Sequence, residues 1–273
     1  MTGVQTCALP IFIEAIFENL AVKQDLFAAI EARAKPGALL ATNTSSLKLA
    51  DIGRKMQDPS RLIGLHFFNP VPQLQLVEVV AGAATKPDWA SEGAAFVRQI
   101  DKLPLPVQDS PGFLVNRVLG PYMLNAFRML DQGVKAETID NAAERFGMPM
   151  GPITLAETVG LDIVAAAGKA LGGPEATPPK RLAELLAAGK LGKKTGEGFY
   201  RWEKGKPAKG AADLVTDELV RRVMDPYLEE AKRAVEEGIV ADADLADAGL
   251  IFGTGFAPFT GGPLNYLKQH AAA

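Results

Sequence analysis

A histidine and a glutamate on neighbouring predicted strands are the residues best suited to move a proton. His66 lies near the C-terminal end of the apolar run 61–68, and Glu78 interrupts the next apolar run, 74–80. An unpaired carboxylate inside an apolar strand would be costly, so Glu78 needs a partner. A carboxylate within hydrogen-bond reach fixes the tautomer of an imidazole and stabilises its protonated form, which makes a histidine a competent general base near neutral pH.

The segment between the two runs passes through Asn69, Pro70 and Pro72, and a hairpin-like return of this length can bring Glu78 beside His66. Ligands of open α/β sheets bind outside the carboxyl ends of the strands, where His66 would lie. The alternative is a hydrogen-bonded histidine at a strand end with no catalytic role. The pair alone leaves both interpretations open.

Two further polar positions could likewise have either a functional or a purely structural role. Ser45 belongs to the cluster 43–46 (NTSS) that follows the predicted strand 38–42, and Asn116 lies in the first turns of a predicted helix. Either side chain could hydrogen-bond a substrate, yet serine and asparagine are also common turn residues at strand ends. Residue type and spacing suggest a site here without establishing one.

The elements that would position these residues alternate between strand and helix as far as residue 108. Apolar residues spaced by three and four predict a helix over about 20–34, and shorter helical patterns cover 49–56 and 87–103. A short apolar piece at 13–16 precedes apolar runs that predict strands over 38–42, 61–68, 74–80 and 105–108. This alternation predicts an α/β domain with a mostly parallel sheet.

The pattern becomes all-helical after residue 108. Asp109, Ser110 and Pro111 predict a helix start, with a capping side chain and a proline at the first helical position. Periodic apolar residues then predict helices over 112–132, 136–146, 152–170, 178–189 and 214–237. We therefore place a domain boundary near residue 109.

The helical part contains an internal repeat. At a constant offset, Pro121-Tyr122, Arg128 and Gly133 recur as Pro226-Tyr227, Arg233 and Gly238. The match then shifts by a few residues and pairs the segment 147–152 with 255–263. Two copies of one helical unit are the simplest interpretation, and coincidence is the alternative.

Composition excludes several functions. With 29 Lys and Arg against 32 Asp and Glu, and a net charge of −3, the chain lacks the basic surface expected of a nucleic-acid-binding protein. No apolar run approaches the ~18–20 residues needed to cross a bilayer, and the N-terminus does not resemble a secretory signal. The single cysteine, Cys7, excludes an internal disulfide and a cysteine-based metal site. We expect no metal and a cytoplasmic location.

The segment 2–11 (TGVQTCALPI) has neither helical nor strand periodicity. It resembles the translation of a common sequencing adapter, with an alternative start codon supplying Met1. We interpret residues 1–12 as an artefactual leader that does not belong in the fold. Authentic sequence would then begin near Ile13, and Cys7 would have no chemical role. The alternative is a natural N-terminal strand.

Five motifs together resemble the 3-hydroxyacyl-CoA dehydrogenase family over residues 13–273. In chain order they are NTSS at 43–46, GLHFFNP at 64–70, LVEVV at 76–80, DSPGFLVNR at 109–117 and GKKTGEGFY at 192–200. The resemblance implies an α/β fold followed by an all-α one. The C-terminal part of a Rossmann-like NAD-binding domain would occupy 13–108, and a duplicated helical C-terminal domain would occupy 109–202 and 203–273.

The resemblance also implies an activity and a role for each matching position. The activity is the NAD-dependent oxidation of (3S)-3-hydroxyacyl-CoA to 3-oxoacyl-CoA in fatty-acid β-oxidation. His66 would be the general base that removes the 3-hydroxyl proton, and Glu78 would orient it. Ser45 and Asn116 would hydrogen-bond the reacting oxygen and position the substrate. The positions that match residues approaching NAD are Glu18, Lys23, Ser45, Asn69 and Lys194.

The repeated helical unit resembles the dehydrogenase part of the bacterial multifunctional fatty-acid oxidation α-subunit. The partners that this implies are a fused enoyl-CoA hydratase domain and a thiolase subunit. The second copy has Arg221 where the first has Asn116, so we expect it to be structural and to cover the first copy within one chain. The alternatives are a 3-hydroxybutyryl-CoA dehydrogenase and a non-catalytic helical interaction module.

The chain departs from the family at its start. The family opens with a strand, a Gly-x-Gly-x-x-Gly turn and an acidic residue about twenty positions later, and this sequence contains none of them. The glycine-rich segment 192–198 follows a predicted helix, so we interpret it as a late loop of the family and not as a phosphate cradle. We therefore expect a truncated domain with an exposed sheet edge, weak binding of NAD and negligible dehydrogenase activity.

Overall fold

The computed structural model describes residues 10–173 and 175–271, and the chain divides into two compact units, Met1–Phe113 and Leu114–Ala273. The division falls a few residues after the domain boundary expected near 109. Most of the predicted leader, residues 1–9 with Cys7, lies outside the described residues, so its interpretation as an artefact stays a prediction.

The first unit is built on a five-stranded sheet with the order β1-β2-β3-β4-β5. In that order the strands cover Ile11–Glu14, Leu39–Thr42, Leu62–Phe67, Leu76–Ala81 and Leu103–Gln108. All neighbours are parallel except β3 and β4, which are antiparallel. Helices α1, α2 and α3 cover Leu20–Glu31, Leu49–Ile52 and Pro87–Gln99, and 3-10 turns lie at Gly53–Lys55 and Pro59–Arg61. The predicted α/β fold with a mostly parallel sheet is confirmed.

The core of this unit lies between the central strands and α3. Because side chains alternate across a strand, every second residue of β2, β3 and β4 faces it. Helix α3 approaches the sheet closely at Gly93, where an added Cβ would lie 2.4 Å from Cδ1 of Ile63. This contact explains a glycine inside a helix despite its low helix propensity. The buried cluster consists of Leu39, Ala41, Ile63, Leu65, Val77, Val79 and Val97.

Two boundaries of the first unit differ from the sequence prediction. Strand β1 begins at Ile11, inside the predicted leader, and pairs in parallel with β2. Helix α3, predicted to reach residue 103, ends at Gln99 because Leu103 pairs with Leu76 of β4. A positive φ of 57° at Asp101 turns the chain between the helix and the strand. Strand pairing, which is not local in sequence, decides both boundaries.

Asp109 caps a helix other than the one predicted. The sequence places Asp109 at the start of a helix over 112–132, but the chain turns through 111–114 and that helix begins only at Val115. The Asp109 Oδ2 atom instead accepts the backbone N–H of Leu49 at 2.9 Å, at the start of α2. The free N–H groups of a helix start can donate to any suitably placed carboxylate, so the residues next to Asp109 do not reveal which helix it caps.

The second unit is mainly helical. Helices α4 to α11 cover Val115–Asp131, Ala136–Phe146, Pro152–Val159, Leu161–Gly172, Lys180–Ala187, Asp217–Glu236, Ala243–Thr254 and Pro263–His270. Short 3-10 turns lie at Lys193–Thr195 and Pro258–Thr260, and β6 (Arg201–Glu203) and β7 (Lys206–Ala208) form an antiparallel hairpin. The predicted helices over 112–132, 136–146, 178–189 and 214–237 are present within a few residues of their expected ends.

Three features of this unit were not predicted. Lys204 and Gly205 have φ values of 50° and 78°, the conformation that a two-residue hairpin turn requires, and they connect β6 to β7. The helix predicted over 152–170 is divided into α6 and α7, since Gly160 adopts a φ of 112° that no continuous helix accommodates. The helices α10 and α11 were not among the predicted ones.

The internal repeat corresponds to two similar helical runs, α4-α5-α6 and α9-α10-α11. Helices α4 and α9 each contain a proline in their interior, Pro121 and Pro226. The tyrosines that follow these prolines contact each other edge to face: the ring centroids of Tyr122 and Tyr227 lie 5.7 Å apart with an interplanar angle of 87°. Equivalent residues that meet each other are typical of a two-fold arrangement.

The second half of each run is organised by a buried aspartate. Asp140 of α5 accepts the backbone N–H of Ile153, at the start of α6, at 2.8 Å. Asp247 of α10 accepts the backbone N–H of Leu264, at the start of α11, at 2.7 Å. The same contact at equivalent places supports the proposal that the helical unit is duplicated, while the division at residues 202 and 203 stays a prediction.

The tyrosine pair makes a testable prediction, because its two hydroxyls differ. The Tyr122 hydroxyl is buried without a hydrogen-bond partner among the described residues, whereas the Tyr227 hydroxyl lies 2.8 Å from Oγ1 of Thr254. An unsatisfied buried polar group costs about 1–3 kcal/mol, and a typical hydrogen bond contributes about 0.5–1.5 kcal/mol. Chemical denaturation should therefore show that Tyr122→Phe is neutral or stabilising and that Tyr227→Phe is destabilising. Equal destabilisation by both variants would contradict this account.

Candidate active site

The structure brings His66 and Glu78 together. The antiparallel pairing of β3 with β4 places these residues directly opposite each other, and the His66 Nδ1 atom lies 2.7 Å from Oε2 of Glu78. Both side chains are buried, Glu78 completely. The return of the chain expected from the sequence is thus present, and the carboxylate inside the apolar strand has the partner it requires.

Two aromatic rings enclose the imidazole. The ring centroid of Phe68 lies 4.5 Å from that of His66, and the centroid of Phe113 lies 5.7 Å away. Phe113 reaches this place from a turn in which it adopts a φ of 51°. With Nδ1 held by Glu78 and the ring held between aromatic groups, Nε2 is the nitrogen left for chemistry. Phe68 and Phe113 both lie in quoted motifs, but nothing local in sequence showed that they contact His66.

The loop that contains Ser45 is held from two sides. The side chain of Glu18 accepts the hydroxyl of Thr44, the backbone N–H of Ser45 at 3.2 Å and the hydroxyl of Ser46 at 3.2 Å. Burial alone would raise the pKa of Glu18, but the hydrogen bond from Thr44 and the charge of Lys23 outweigh burial and hold this pKa below its usual value. Glu18 therefore braces the loop as an ionised carboxylate.

Asn43 joins the same loop to the strand of the histidine. Its Oδ1 atom accepts the backbone N–H of Phe67 at 2.9 Å, and Phe67 directly follows His66 in β3. The loop of Ser45 and the strand end of His66 are therefore connected by one side chain. Asn43 is the first residue of the NTSS motif at 43–46, but the sequence did not indicate a role for it.

Lys23 is almost completely buried, at 1% exposure. Its Nζ atom lies 2.6 Å from Oε1 of Glu14 and 3.3 Å from Oε2 of Glu18. Glu14 also accepts the hydroxyl of Thr42 at 2.7 Å. These contacts commit Lys23 to the interior of the unit, and its contact with NAD stays a prediction. Sequence reasoning missed Glu14, although it is a carboxylate in an apolar run just as Glu78 is.

The remaining predicted site residues lie apart in the chain. Asn69 is exposed after the end of β3. In the second unit, Asn116 lies in the first turn of α4, and the Nζ atom of Lys194 lies 2.5 Å from Oδ1 of Asp162. Within the first unit the structure therefore assembles His66 and Glu78, and it separately orders the loop of Ser45.

The glycine-rich segment 192–198 is explained by packing. An added Cβ at Gly198 would lie 2.1 Å from Oε1 of Glu157, and one at Gly192 would lie 2.7 Å from its Cα. Glu157 is buried, which raises its pKa, and it accepts Nε1–H of Trp202 at 2.6 Å. It also accepts the backbone N–H of Phe199. The glycines allow the loop to close over a buried carboxylate, which agrees with the interpretation that it is not a phosphate cradle.

The described residues contain neither a cluster of metal ligands nor a membrane-spanning helix. Over 10–173 and 175–271, no group of three or more histidine, cysteine, aspartate or glutamate side chains is placed to hold a metal ion. No described helix is both long and apolar enough to span a bilayer.

The contact between Asp109 and α2 predicts a pH dependence. Burial raises the pKa of Asp109, despite hydrogen bonds from the backbone N–H groups of Ala50 and Leu49. Above its usual pKa of 3.8 the folded chain therefore binds more protons than the unfolded chain, and stability falls as the pH rises towards the raised value. Asp109→Asn keeps an acceptor oxygen and abolishes the titration.

We expect the Tm of the wild type minus that of Asp109→Asn to decrease as the pH rises above about 4. Scanning calorimetry at several pH values measures this difference. A difference that is constant or that increases with pH would contradict the assignment.

The contact between His66 and Glu78 predicts a tautomer. A carboxylate offers only acceptors, so neutral His66 must carry its proton on Nδ1. Long-range proton–nitrogen NMR should show this tautomer in the wild type and its loss in Glu78→Leu. His270, whose Nδ1 lies 2.8 Å from the carbonyl oxygen of Tyr266, is the internal control and should be unchanged. An Nδ1 without a proton in wild-type His66 would refute the geometry.

Family comparisons identify both parts of the chain. The NAD-binding domain of 3-hydroxyacyl-CoA dehydrogenase matches residues 4–110, and the C-terminal domain of the same family matches 112–202. The fatty acid oxidation complex subunit alpha of Vibrio cholerae serotype O1 is 40% identical over 272 residues, which cover 94% of this chain and 38% of that protein. The subunit of the same name from Idiomarina loihiensis is 38% identical over 280 residues and 39% of its length. The chain thus spans less than half the length of these relatives.

Solved structures give the same result. The 3-hydroxybutyryl-CoA dehydrogenase of Escherichia coli K12 matches with a TM-score of 0.84 and 27% identity, over 95% of this chain and 74% of that one. The (S)-3-hydroxybutyryl-CoA dehydrogenase PaaH1 of Ralstonia eutropha matches with a TM-score of 0.67 and 36% identity, over 71% of each chain. The order of the two matched domains and the fold of the chain lead to one conclusion: the chain belongs to the 3-hydroxyacyl-CoA dehydrogenase family.

Proposed function

We propose that this chain contains the proton-transfer site of an NAD-dependent dehydrogenase that oxidises (3S)-3-hydroxyacyl-CoA to 3-oxoacyl-CoA. The observation that supports this most directly is the buried contact of 2.7 Å between His66 and Glu78, at the carboxyl end of β3. Open α/β sheets bind their ligands at this end of the strands. Among the described residues of the unit, the contact with Glu78 is made by Nδ1 of His66, which leaves Nε2 as the nitrogen for a substrate.

Each residue has a distinct part in the proposed reaction. His66 accepts the proton of the 3-hydroxyl group at Nε2, while Glu78 keeps the proton of Nδ1 in place and stabilises the imidazolium that forms. Ser45 and Asn116 donate hydrogen bonds to the oxygen at C3 and hold the substrate in position. The rings of Phe68 and Phe113 keep water away from the imidazole and fix its plane.

The described residues fit part of NAD. Phe17, whose side chain is 69% exposed, and the partly exposed carboxylate of Glu18 follow the carboxyl end of β1. An exposed aromatic group beside a carboxylate is suited to a nucleoside, whose base stacks and whose ribose hydroxyls donate hydrogen bonds. When bound, NAD supplies the acceptor for the hydride that leaves C3. The weak binding of NAD expected from the sequence stays a prediction.

A shorter substrate is the second candidate. The match to the E. coli 3-hydroxybutyryl-CoA dehydrogenase extends over 95% of the chain, which favours a four-carbon acyl group. The similarity to fatty acid oxidation α-subunits favours longer ones and is also the basis for proposing a fused hydratase domain and a thiolase partner. A cytoplasmic location remains a proposal from the sequence.

The assay follows NADH oxidation by absorbance, with acetoacetyl-CoA as substrate and increasing NADH. We expect negligible activity at ordinary NADH concentrations and measurable turnover only at high NADH, because NAD binding is expected to be weak. We expect His66→Asn to reduce that turnover by about 10²–10⁴-fold, the usual contribution of a general acid or base. His270→Asn, which changes the only other histidine and lies in α11, is the matched control and should have no effect.

Binding of acetoacetyl-CoA is measured in parallel by calorimetry, since it does not depend on turnover. Equal activity of His66→Asn and the wild type would contradict the proposed base. Failure both to bind acetoacetyl-CoA and to oxidise NADH at any concentration would contradict the proposed function. Normal turnover at low NADH would contradict only the expected weakness of NAD binding. A longer 3-oxoacyl-CoA used more efficiently than acetoacetyl-CoA would exclude the four-carbon candidate.

A further inference from the structure

A partly buried ionic cluster adjoins Asn116 in the first turn of α4. Arg117, the next residue, donates from Nε to Oε1 of Glu230 at 2.7 Å, and its Nη2 atom lies 2.8 Å from Oε2 of Glu237. The side chain of Arg117 is 14% exposed and that of Glu230 is 7% exposed. Both carboxylates belong to α9 or its C-terminal cap. The second helical run therefore holds the start of the first.

The equivalent contact at the other end of the pair formed by α4 and α9 lacks carboxylates. At the offset of the repeat, Arg117 corresponds to Arg222, Glu230 to Asn125, and Glu237 to Gln132. The reciprocal contacts are present: Arg222 donates to the side-chain oxygen of Gln132, and its carbonyl accepts Nδ2–H of Asn125 at 2.8 Å. The equivalent positions are in contact at both ends, but here Asn125 bonds to the backbone of Arg222 and not to its guanidinium, and both partners are neutral amides.

This difference in charge makes the two ends unequal in strength. Hydrogen bonds between a guanidinium and carboxylates are roughly twice as strong as those between neutral groups. Burial works against the charge of Arg117, yet its hydrogen bonds to Glu230 and Glu237 raise its pKa, so the guanidinium stays charged. The stronger end is the one that contains Asn116, and the weaker end contains Arg221, which replaces the asparagine in the second copy.

We propose that Arg117 is a positioning residue for Asn116, and that Glu230 and Glu237 of the second helical run hold it in place. The two carboxylates each hold one nitrogen of the guanidinium, Nε and Nη2, and the guanidinium fixes the first turn of α4, from which Asn116 projects. The second copy has no asparagine of its own at this place, but it contributes to the site through this contact. The inference rests on the proposed function, in which Asn116 hydrogen-bonds the reacting oxygen.

The test compares Arg117→Lys with the symmetry-related Arg222→Lys. Both variants keep the charge and lose the planar geometry of the guanidinium, and Arg222→Lys makes this change at the exposed end with neutral partners. The probe at the first turn of α4 is the backbone amide of Val118, which donates to the carbonyl oxygen of Leu114 at 3.0 Å. The probe in α9 is the amide of Val223, at the equivalent position.

Hydrogen exchange followed by NMR should show the Val118 amide exchanging at least about tenfold faster in Arg117→Lys, which corresponds to a lost charged hydrogen bond. Arg222→Lys should leave Val118 unchanged. Glu237→Gln, at a half-exposed position, is a milder variant and should also make the Val118 amide exchange faster. It provides the test if Arg117→Lys fails to fold. Arg233→Gln removes only the contact of Arg233 with Glu230 and should leave Val118 unchanged.

The second readout is the side-chain amide signal of Asn116, assigned by its loss in Asn116→Asp. We expect this signal to shift when acetoacetyl-CoA is added to the wild type, and to be more mobile and less responsive in Arg117→Lys. Unchanged Val118 exchange and Asn116 mobility in Arg117→Lys, or the same change in Arg222→Lys, would overturn the positioning role. A wild-type signal that ignores acetoacetyl-CoA would instead overturn the substrate contact of the proposed function, whatever the exchange rates show.

Discussion

A carboxylate removed from water requires a partner, and in the first unit this requirement connects the strand ends on which the site is built. Glu78 of β4 is buried opposite His66 of β3, and the pairing of the two strands makes this contact unavoidable. Glu14 at the end of β1 is satisfied by Lys23 and by Thr42 of β2. The carboxylates therefore fix the imidazole and the neighbouring strand ends together.

The second unit applies the same principle to its helices and loops. Asp140 and Asp247 each satisfy the start of a following helix, and Glu157 satisfies the loop that closes over it. The partners are mostly backbone N–H groups, which are exposed at helix starts and in glycine-rich turns. Each carboxylate thus replaces a local capping residue with a contact to a distant part of the chain.

The two helical runs are alike in geometry and unlike in chemistry. Their tyrosines meet at the centre, but only Tyr227 has a hydroxyl partner among the described residues. The Arg117 guanidinium contacts two carboxylates, whereas the Arg222 guanidinium contacts a neutral amide. A duplicated unit that needs one site can lose polar groups in one half while it retains the packing of both. The side of the pair that contains Asn116 retains the charged contacts.

The sequence by itself determined the order of the elements and the central pair of the site. Apolar periodicity reports local burial, which is why it predicted the alternation to residue 108 and the helices after it. The interruption of an apolar strand by Glu78 reports an energetic need, and the partner was found within the next strand. Glu14 likewise interrupts an apolar run, so the sequence could have shown that this carboxylate needs a partner.

Tertiary structure alone decided the contacts between segments distant in the chain. Asp109 caps α2, Phe113 packs on His66, and Glu230 holds Arg117. A carboxylate or a ring has no sequence pattern that names its partner, because any free N–H group, imidazole or guanidinium brought near by folding can satisfy it. Residue types therefore determined which groups needed partners, and the packing of strands and helices determined which partners they received.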